Sequence, residues 1–197
     1  MIRLIPAITL LIVCTASCTV SQRSNSKIRM ETYQPNRQQK KYKNLLIVAE
    51  GSLLSRTYIE NIVWAMKPGL EKAKLSYHYE FLGNPERVSI ENNLKRVMDA
   101  NPSDALLHIR PMAAIGYTRS TTTSSTPNSM PYASSTSLLR AAYSFELTEV
   151  QDKLVWGGRL TTNIPEYPRS IYPVISKKII AELKENKLLP EIAAAAQ

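Results

Sequence analysis

The 197-residue sequence has little of what common catalytic and metal centres are built from. Its two cysteines, Cys14 and Cys18, lie within the first twenty residues, and its two histidines are His78 and His108. This distribution excludes a disulfide framework and a thiolate metal site from the body of the chain. The sequence also lacks the G-x-S-x-G, G-x-x-x-x-G-K and H-E-x-x-H patterns. We therefore predict a non-enzymatic protein that holds no metal and no cofactor.

The net charge of residues 45–197 is also small, although the whole chain carries +9. Residues 18–44 hold 7 basic side chains and one acidic side chain, whereas residues 45–197 hold 17 basic and 15 acidic ones. Nucleic-acid-binding domains concentrate their basic excess on a folded face, so we predict no nucleic-acid partner. The low hydrophobicity of residues 18–44 predicts a basic disordered tether. This tether could lie on anionic lipid head groups or serve as a soluble spacer.

The amino terminus has the pattern of an exported protein. Arg3 precedes an apolar run at residues 4–13, which is shorter than the ~20 residues that a membrane-spanning helix needs. The sequence Thr15-Ala16-Ser17-Cys18 then resembles a bacterial lipobox. The resemblance implies that residues 1–17 form a lipoprotein signal peptide and that Cys18 receives the lipid. The alternatives are an ordinary secretory signal cut near Ala16 or Ser17, and a core helix.

The body, residues 45–190, shows alternating strand and helix patterns. A continuous apolar run at residues 45–49 predicts a strand buried on both faces. We predict further strands near residues 73–81, 105–112, 140–147 and 154–161, and helices near residues 54–66, 90–98 and 171–183, with a break or kink at Pro68-Gly69. The order β-α-β-α-β-β-β-α predicts an α/β (α+β) fold with a single mixed five-stranded sheet, and residues 191–197 as a tail.

A Ser/Thr-rich insertion at residues 118–137 separates the third and fourth predicted strands. A segment of this length inside a compact domain is typically functional or disordered. Its threonine runs favour strands, so its two arms could form a polar hairpin that projects from the sheet. The alternatives are a mobile loop and an arm that binds a partner or a second copy.

A wider resemblance follows from the lipobox, the tether, this element order and a late hairpin with the sequence Lys153-Leu154-Val155-Trp156-Gly157-Gly158. Together they resemble envelope lipoproteins whose domain is similar to the amino-terminal domain of the Tol translocation protein, a group that includes penicillin-binding-protein activators and the curli-secretion lipoprotein. The resemblance covers residues 44–190. It implies an adaptor or assembly role and carries over only Cys18 as a functional residue.

A possible ligand crevice lies where the parallel strands end. In open α/β sheets, ligands bind beyond the carboxyl ends of the strands, where the strand order reverses. If the first strand lies between the second and third, Glu50, Ser52, Arg56 and Arg110 line this crevice and could hold an anionic group. The alternatives are a Glu–Arg surface pair and a helix-capping role for Ser52. We expect both histidines to be structural.

Three functions remain open at this point. The leading hypothesis is a lipid-anchored envelope adaptor or assembly factor that contacts a protein partner or associates with itself. The second is a lipoprotein that binds a small anionic ligand, and the third is a hydrolase without a visible motif. Thr19 stands after Cys18, where aspartate commonly retains lipoproteins in the inner membrane, so we predict the periplasmic face of the outer membrane.

Overall fold

The computed structural model describes residues 27–33, 41–112, 116–124, 132–149, 153–165 and 171–190. Within these ranges one mixed sheet packs with three helices. The strands are β1 Lys27–Tyr33, β2 Asn44–Glu50, β3 Ser76–Gly83, β4 Ala105–Pro111, β5 Gly116–Ser124, β6 Tyr132–Glu149 and β7 Leu154–Pro165. The helices are α1 Leu53–Lys72, α2 Ile90–Ala100 and α3 Ile171–Glu185. The prediction of an α/β fold with one mixed sheet is confirmed.

The predicted number of five strands is wrong. Six strands follow the path β1-β7-β6-β4-β2-β3, and β5 pairs with β6 beside that path. The three strands β3, β2 and β4 are parallel, with β2 between the other two. On the other side, β6, β7 and β1 continue the sheet by antiparallel pairing. The late hairpin is confirmed as β6–β7.

The first additional strand, β1, falls inside the tether that the sequence predicts to be disordered. Its backbone pairs with β7 from Lys27 opposite Asn163 to Tyr33 opposite Gly157. Ile28 and Met30 pack against the main core. Disorder is therefore the wrong prediction for residues 27–33, because pairing with a distant strand supplies the order that local composition does not indicate.

The second additional strand, β5, falls inside the Ser/Thr-rich insertion. It pairs with β6 from Gly116 opposite Arg140 to Ser124 opposite Tyr132, so the loop interpretation is wrong for these strand residues. Pairing of β7 with β6 begins at Leu138, so residues 132–137 pair with β5 alone in the described structure. We call residues 116–124 and 132–137 the ribbon.

The helices cover the sheet unequally. The main core holds apolar residues of α1 and α3 and the sheet side chains that face them, among them Ile47, Phe145 and Trp156. A smaller cluster on the opposite face holds Val97 of α2 with Leu46 and other residues of β2, β3 and β4. Helix α2 contacts β2 and β3, so β6, β7 and β1 expose polar residues on that face.

Helix α1 continues past the predicted break at Pro68-Gly69 and ends at Lys72. Gly69 allows α1 to pack closely on α3, because a Cβ there would come within 3.0 Å of Ile180 Cγ1. Leu70, one residue later, is fully buried. The close packing of α1 on α3 offsets the cost of the backbone hydrogen bond that Pro68 cannot donate. None of the helices in the described ranges is both long and apolar enough to span a membrane.

Candidate functional site

Four titratable or charged side chains meet on the sheet face opposite α1 and α3. Glu50 ends β2, His108 and Arg110 belong to β4, and Glu146 belongs to β6. In the pairing of β4 with β6, His108 lies opposite Glu146. In the pairing of β2 with β4, Ala49 lies opposite Ile109, so the next residues, Glu50 and Arg110, are also neighbours. The alternation of side chains along each strand then sends all four to the same face. We call these four residues the polar quartet.

The quartet consists of two hydrogen-bonded pairs. His108 Nε2 lies 3.2 Å from Glu50 Oε2, and the two side chains retain only 13% and 14% of their exposure. Arg110 donates from Nη2 to Glu146 Oε2 in an ion pair that is more open to solvent. Each carboxylate therefore has its own partner on β4.

Burial sets the protonation states in the quartet. It lowers the pKa of His108 to about 4, with a further contribution from the positive charge of Arg110. Burial also raises the pKa of Glu50, an effect that Arg110 opposes and Glu146 reinforces. At neutral pH His108 is uncharged, and its Nε2–H can donate to Glu50. This geometry is that of a histidine whose ring has a structural hydrogen-bond partner.

The structure brings together two of the four predicted crevice residues, Glu50 and Arg110. Ser52 instead caps α1, since its Oγ accepts a hydrogen bond from the Ser55 N–H at 3.2 Å. Arg56 forms an ion pair with Glu60, with 2.7 Å between Nε and Oε1, and its guanidinium lies 5.5 Å from the ring centroid of Phe81. Phe81 packs against the core on the α1 side, so Arg56 is separated from the quartet.

Sequence reasoning missed Glu146, the partner of Arg110. The alternating pattern of β6 predicts a solvent-facing position for Glu146, but it does not give the register between β6 and β4. The pairing of His108 with Glu146 and of Arg110 with Ser144 supplies this information. The proximity of Glu50 and Arg110, in contrast, follows from the rule that parallel strands end at one edge.

The described residues contain no candidate metal centre at the quartet, and the cavity that they line lies elsewhere. No group of three or more His, Cys, Asp or Glu side chains there could hold a metal ion. A cavity of about 300 Å³ lies near the opposite end of the sheet, lined by Asn44, Ser76, His78 and Asn101 among others. None of the four predicted crevice residues lines this cavity. Cys18, the predicted lipid-attachment site, lies outside the described residues.

The ribbon is a second candidate site, defined by its backbone. Strand β5 pairs with β6 over nine positions, and six of these pairs, from Arg119–Ser137 to Ser124–Tyr132, join the two ribbon strands. Neither the outer side of β5 nor the other side of residues 132–137 has a paired strand in the described structure. A strand without a neighbour presents free backbone N–H and C=O groups, which another chain can pair with.

Neither a protein-family model nor a curated protein sequence matches this chain at a significant level. Among solved structures, the PelC dodecamer from Paraburkholderia phytofirmans is similar at 9% identity and a TM-score of 0.44, over 82% of this chain and 99% of that chain. A neuraminyllactose-binding hemagglutinin homologue from Helicobacter pylori is similar at 10% identity and a TM-score of 0.40, over 79% and 91%. Because these TM-scores lie below 0.5, the similarities assign neither a family nor a function.

Proposed function

We propose that this chain is a lipid-anchored, non-enzymatic envelope protein that acts as an adaptor or assembly factor through protein–protein contacts. The lipid is attached at Cys18, and the anchored protein lies on the periplasmic face of the outer membrane. The wider resemblance to Tol-type, penicillin-binding-protein-activator and curli-secretion lipoproteins belongs to this proposal. The observation that supports the contact role is the ribbon. Its residues 132–137 extend beyond the part of β6 that pairs with β7 in the described structure.

The ribbon has few of the features that normally prevent strand addition. Natural sheet edges are blocked by charges, prolines or bulges. The two ribbon strands contain one charged residue, Arg119, and no proline. An isolated two-stranded hairpin is marginally stable in water, so a third strand would stabilise it. A partner segment that adds to this edge gains backbone hydrogen bonds and depends little on its side chains.

No specific observation favours the small anionic ligand over this role. Such a ligand needs uncompensated positive charge, whereas the Arg110 guanidinium is paired with Glu146 and that of Arg56 with Glu60. With His108 uncharged, the polar quartet holds two carboxyl groups and one guanidinium and so offers no excess positive charge. We assign it a structural role in holding β2, β4 and β6 together.

Site-specific photo-cross-linking in intact envelopes tests the contact role. A photoreactive residue is placed at Thr122 in the ribbon, with a matched control at Thr57, which is exposed on α1. We expect a discrete cross-linked protein species from Thr122 and none from Thr57. Cross-linking from Thr57 alone, or from neither position, would contradict a ribbon-mediated contact.

A further inference from the structure

The strand register places the start of β1 and the base of the ribbon at the same end of the sheet. Lys27 of β1 pairs with Asn163, which in turn pairs with Arg140, and Arg140 pairs with Gly116 at the ribbon base. The chain from Cys18 thus enters the fold at the end from which the ribbon projects. We call this the ribbon end of the molecule.

The reach of the tether and the length of the ribbon are closely matched. Eight residues separate Cys18 from Lys27, so the chain between them spans at most about 30 Å when fully extended. Strand β6 extends for eight residues from Arg140, which is level with Lys27, to Tyr132 at the far end of the ribbon, and this corresponds to about 27 Å of strand. A lipid at Cys18 would therefore hold Lys27 close enough to the membrane for the far end of the ribbon to reach the membrane surface.

The composition of the ribbon and of the residues that connect β1 to Cys18 suits an anionic lipid surface. Arg119 lies in the ribbon and Arg140 at its base, where Arg140 is exposed. Residues 113–139 contain no aspartate or glutamate, and the connecting residues 19–26 contain Arg23 and no acidic residue. Basic residues near a bilayer surface are attracted by its anionic head groups.

Exposed apolar side chains lie at this end as well. Leu53 begins α1 directly after the carboxyl end of β2 and is 78% exposed, and Met112 follows β4 and is 42% exposed. Strand β4 ends near the ribbon base, because Pro111 pairs with Tyr143, three residues from Arg140. Strand β2 is parallel to β4 and therefore ends on the same side. Apolar side chains among basic ones are typical of surfaces that rest at the lipid interface.

We infer that the ribbon end faces the membrane in which the chain is anchored and contacts anionic lipid. This inference rests on the proposed lipid attachment at Cys18. It adds an orientation: the ribbon meets its protein partner next to the bilayer, while the opposite end, with Lys43 and Lys153, points away from it. Lipid contacts the end of the molecule, and a protein strand adds along the ribbon edge.

Depth-dependent fluorescence quenching tests this orientation. The mature lipidated protein is reconstituted in phosphatidylglycerol-containing vesicles with a single cysteine-linked fluorophore, at Thr122→Cys or at Ser103→Cys near the opposite end. Lipid blocks the Cys18 thiol, so the introduced thiol alone is labelled. With brominated lipids we expect loss of most of the fluorescence at residue 122 and no change at residue 103. An Arg119→Gln/Arg140→Gln variant reduces the quenching at residue 122, whereas Lys43→Gln/Lys153→Gln does not.

Three outcomes would overturn the inference. The first is absence of quenching at residue 122, and the second is equal quenching at both positions. The third is a fluorescence change at residue 122 that depends on the amount of protein per vesicle rather than on the lipid composition, which would indicate contact with a second copy. Mass spectrometry of the purified protein separately detects the lipid on Cys18. A chain without that lipid would overturn the proposed anchor, so the two failures are distinguishable.

Discussion

His108 on β4 forms a hydrogen bond across the sheet to Glu50 on β2, with 3.2 Å between Nε2 and Oε2. Both side chains are largely buried, and burial lowers the pKa of His108 to about 4. Folding thus requires His108 to remain uncharged at pH values at which the unfolded chain would bind a proton. This relationship links the stability of the fold to mild acidification.

The sign of this pH dependence follows from the direction of the shift. The unfolded state binds the extra proton first, so the contribution of His108 is fully present above its unfolded pKa of 6.5 and decreases as the pH falls towards about 4. The loss can reach about 3 kcal/mol. Glu50 acts in the opposite sense, because its raised pKa favours proton binding by the folded state. We expect urea denaturation between pH 7.5 and 4.5 to show a smaller loss in His108→Gln than in the wild type. Equal pH dependence in the two proteins would contradict this assignment.

The ring of Tyr33 lies close against Gly157 at the end of β1. They are directly opposite in the β1–β7 pairing, and a Cβ on Gly157 would overlap the Tyr33 ring. We expect Gly157→Ala to displace Tyr33 and to lower the free energy of unfolding by about 2 kcal/mol, as measured by denaturant titration. In a Tyr33→Ala background the same substitution should have a much smaller effect. Additive effects would show that the strain arises elsewhere.

Tyr58 and Thr162 form a buried hydrogen bond between α1 and β7, with 2.7 Å between the two hydroxyl oxygens. Tyr58 also stacks on Tyr143, with ring centroids 5.1 Å apart. Tyr58→Phe keeps the stacking but leaves the Thr162 hydroxyl without its partner, so we expect a loss of about 1 to 3 kcal/mol in thermal or urea unfolding. The double variant Tyr58→Phe/Thr162→Val serves as the control. It should recover part of the loss, and no recovery would mean that the hydroxyl pair is not the cause.

Cys18 carries the prediction of membrane attachment. We expect the wild-type protein to remain in the outer-membrane fraction after a high-salt wash and Cys18→Ser to appear in the soluble fraction, because the variant cannot receive the lipid. Cys14→Ser is the matched control and should fractionate like the wild type. A Cys18→Ser protein that stays with the membranes would contradict lipid anchoring.

The parts of the fold that the sequence predicts correctly are those with strong local patterns. The apolar run at residues 45–49 and the spacing of apolar residues in α1 and α3 each indicate an element from short-range information. In β1, only Ile28 and Met30 pack against the main core, and the strand depends on β7, more than a hundred residues away. No local pattern could reveal that pairing.

The same distinction applies to the candidate sites. Glu50 and Arg110 could be brought together by the rule that parallel strands end at one edge. The prediction of Arg56 in the same crevice is wrong, because the sequence does not show on which side of the sheet helix α1 packs. The structure pairs it with Glu60 beside Phe81. The threonine runs of the insertion indicate strand tendency, but the sequence does not show that β5 pairs with β6.

Removal of the ribbon is the most direct test of the account. Arg119 pairs with Ser137, so replacing residues 120–136 by Asn-Gly leaves these two residues flanking a two-residue hairpin turn. We measure the melting temperature of the purified variant. We also compare the complexes that the variant and the wild type each form in cross-linked envelopes. The account predicts an unchanged melting temperature and the loss of the cross-linked complexes. Full retention of those complexes by a correctly folded variant would contradict it.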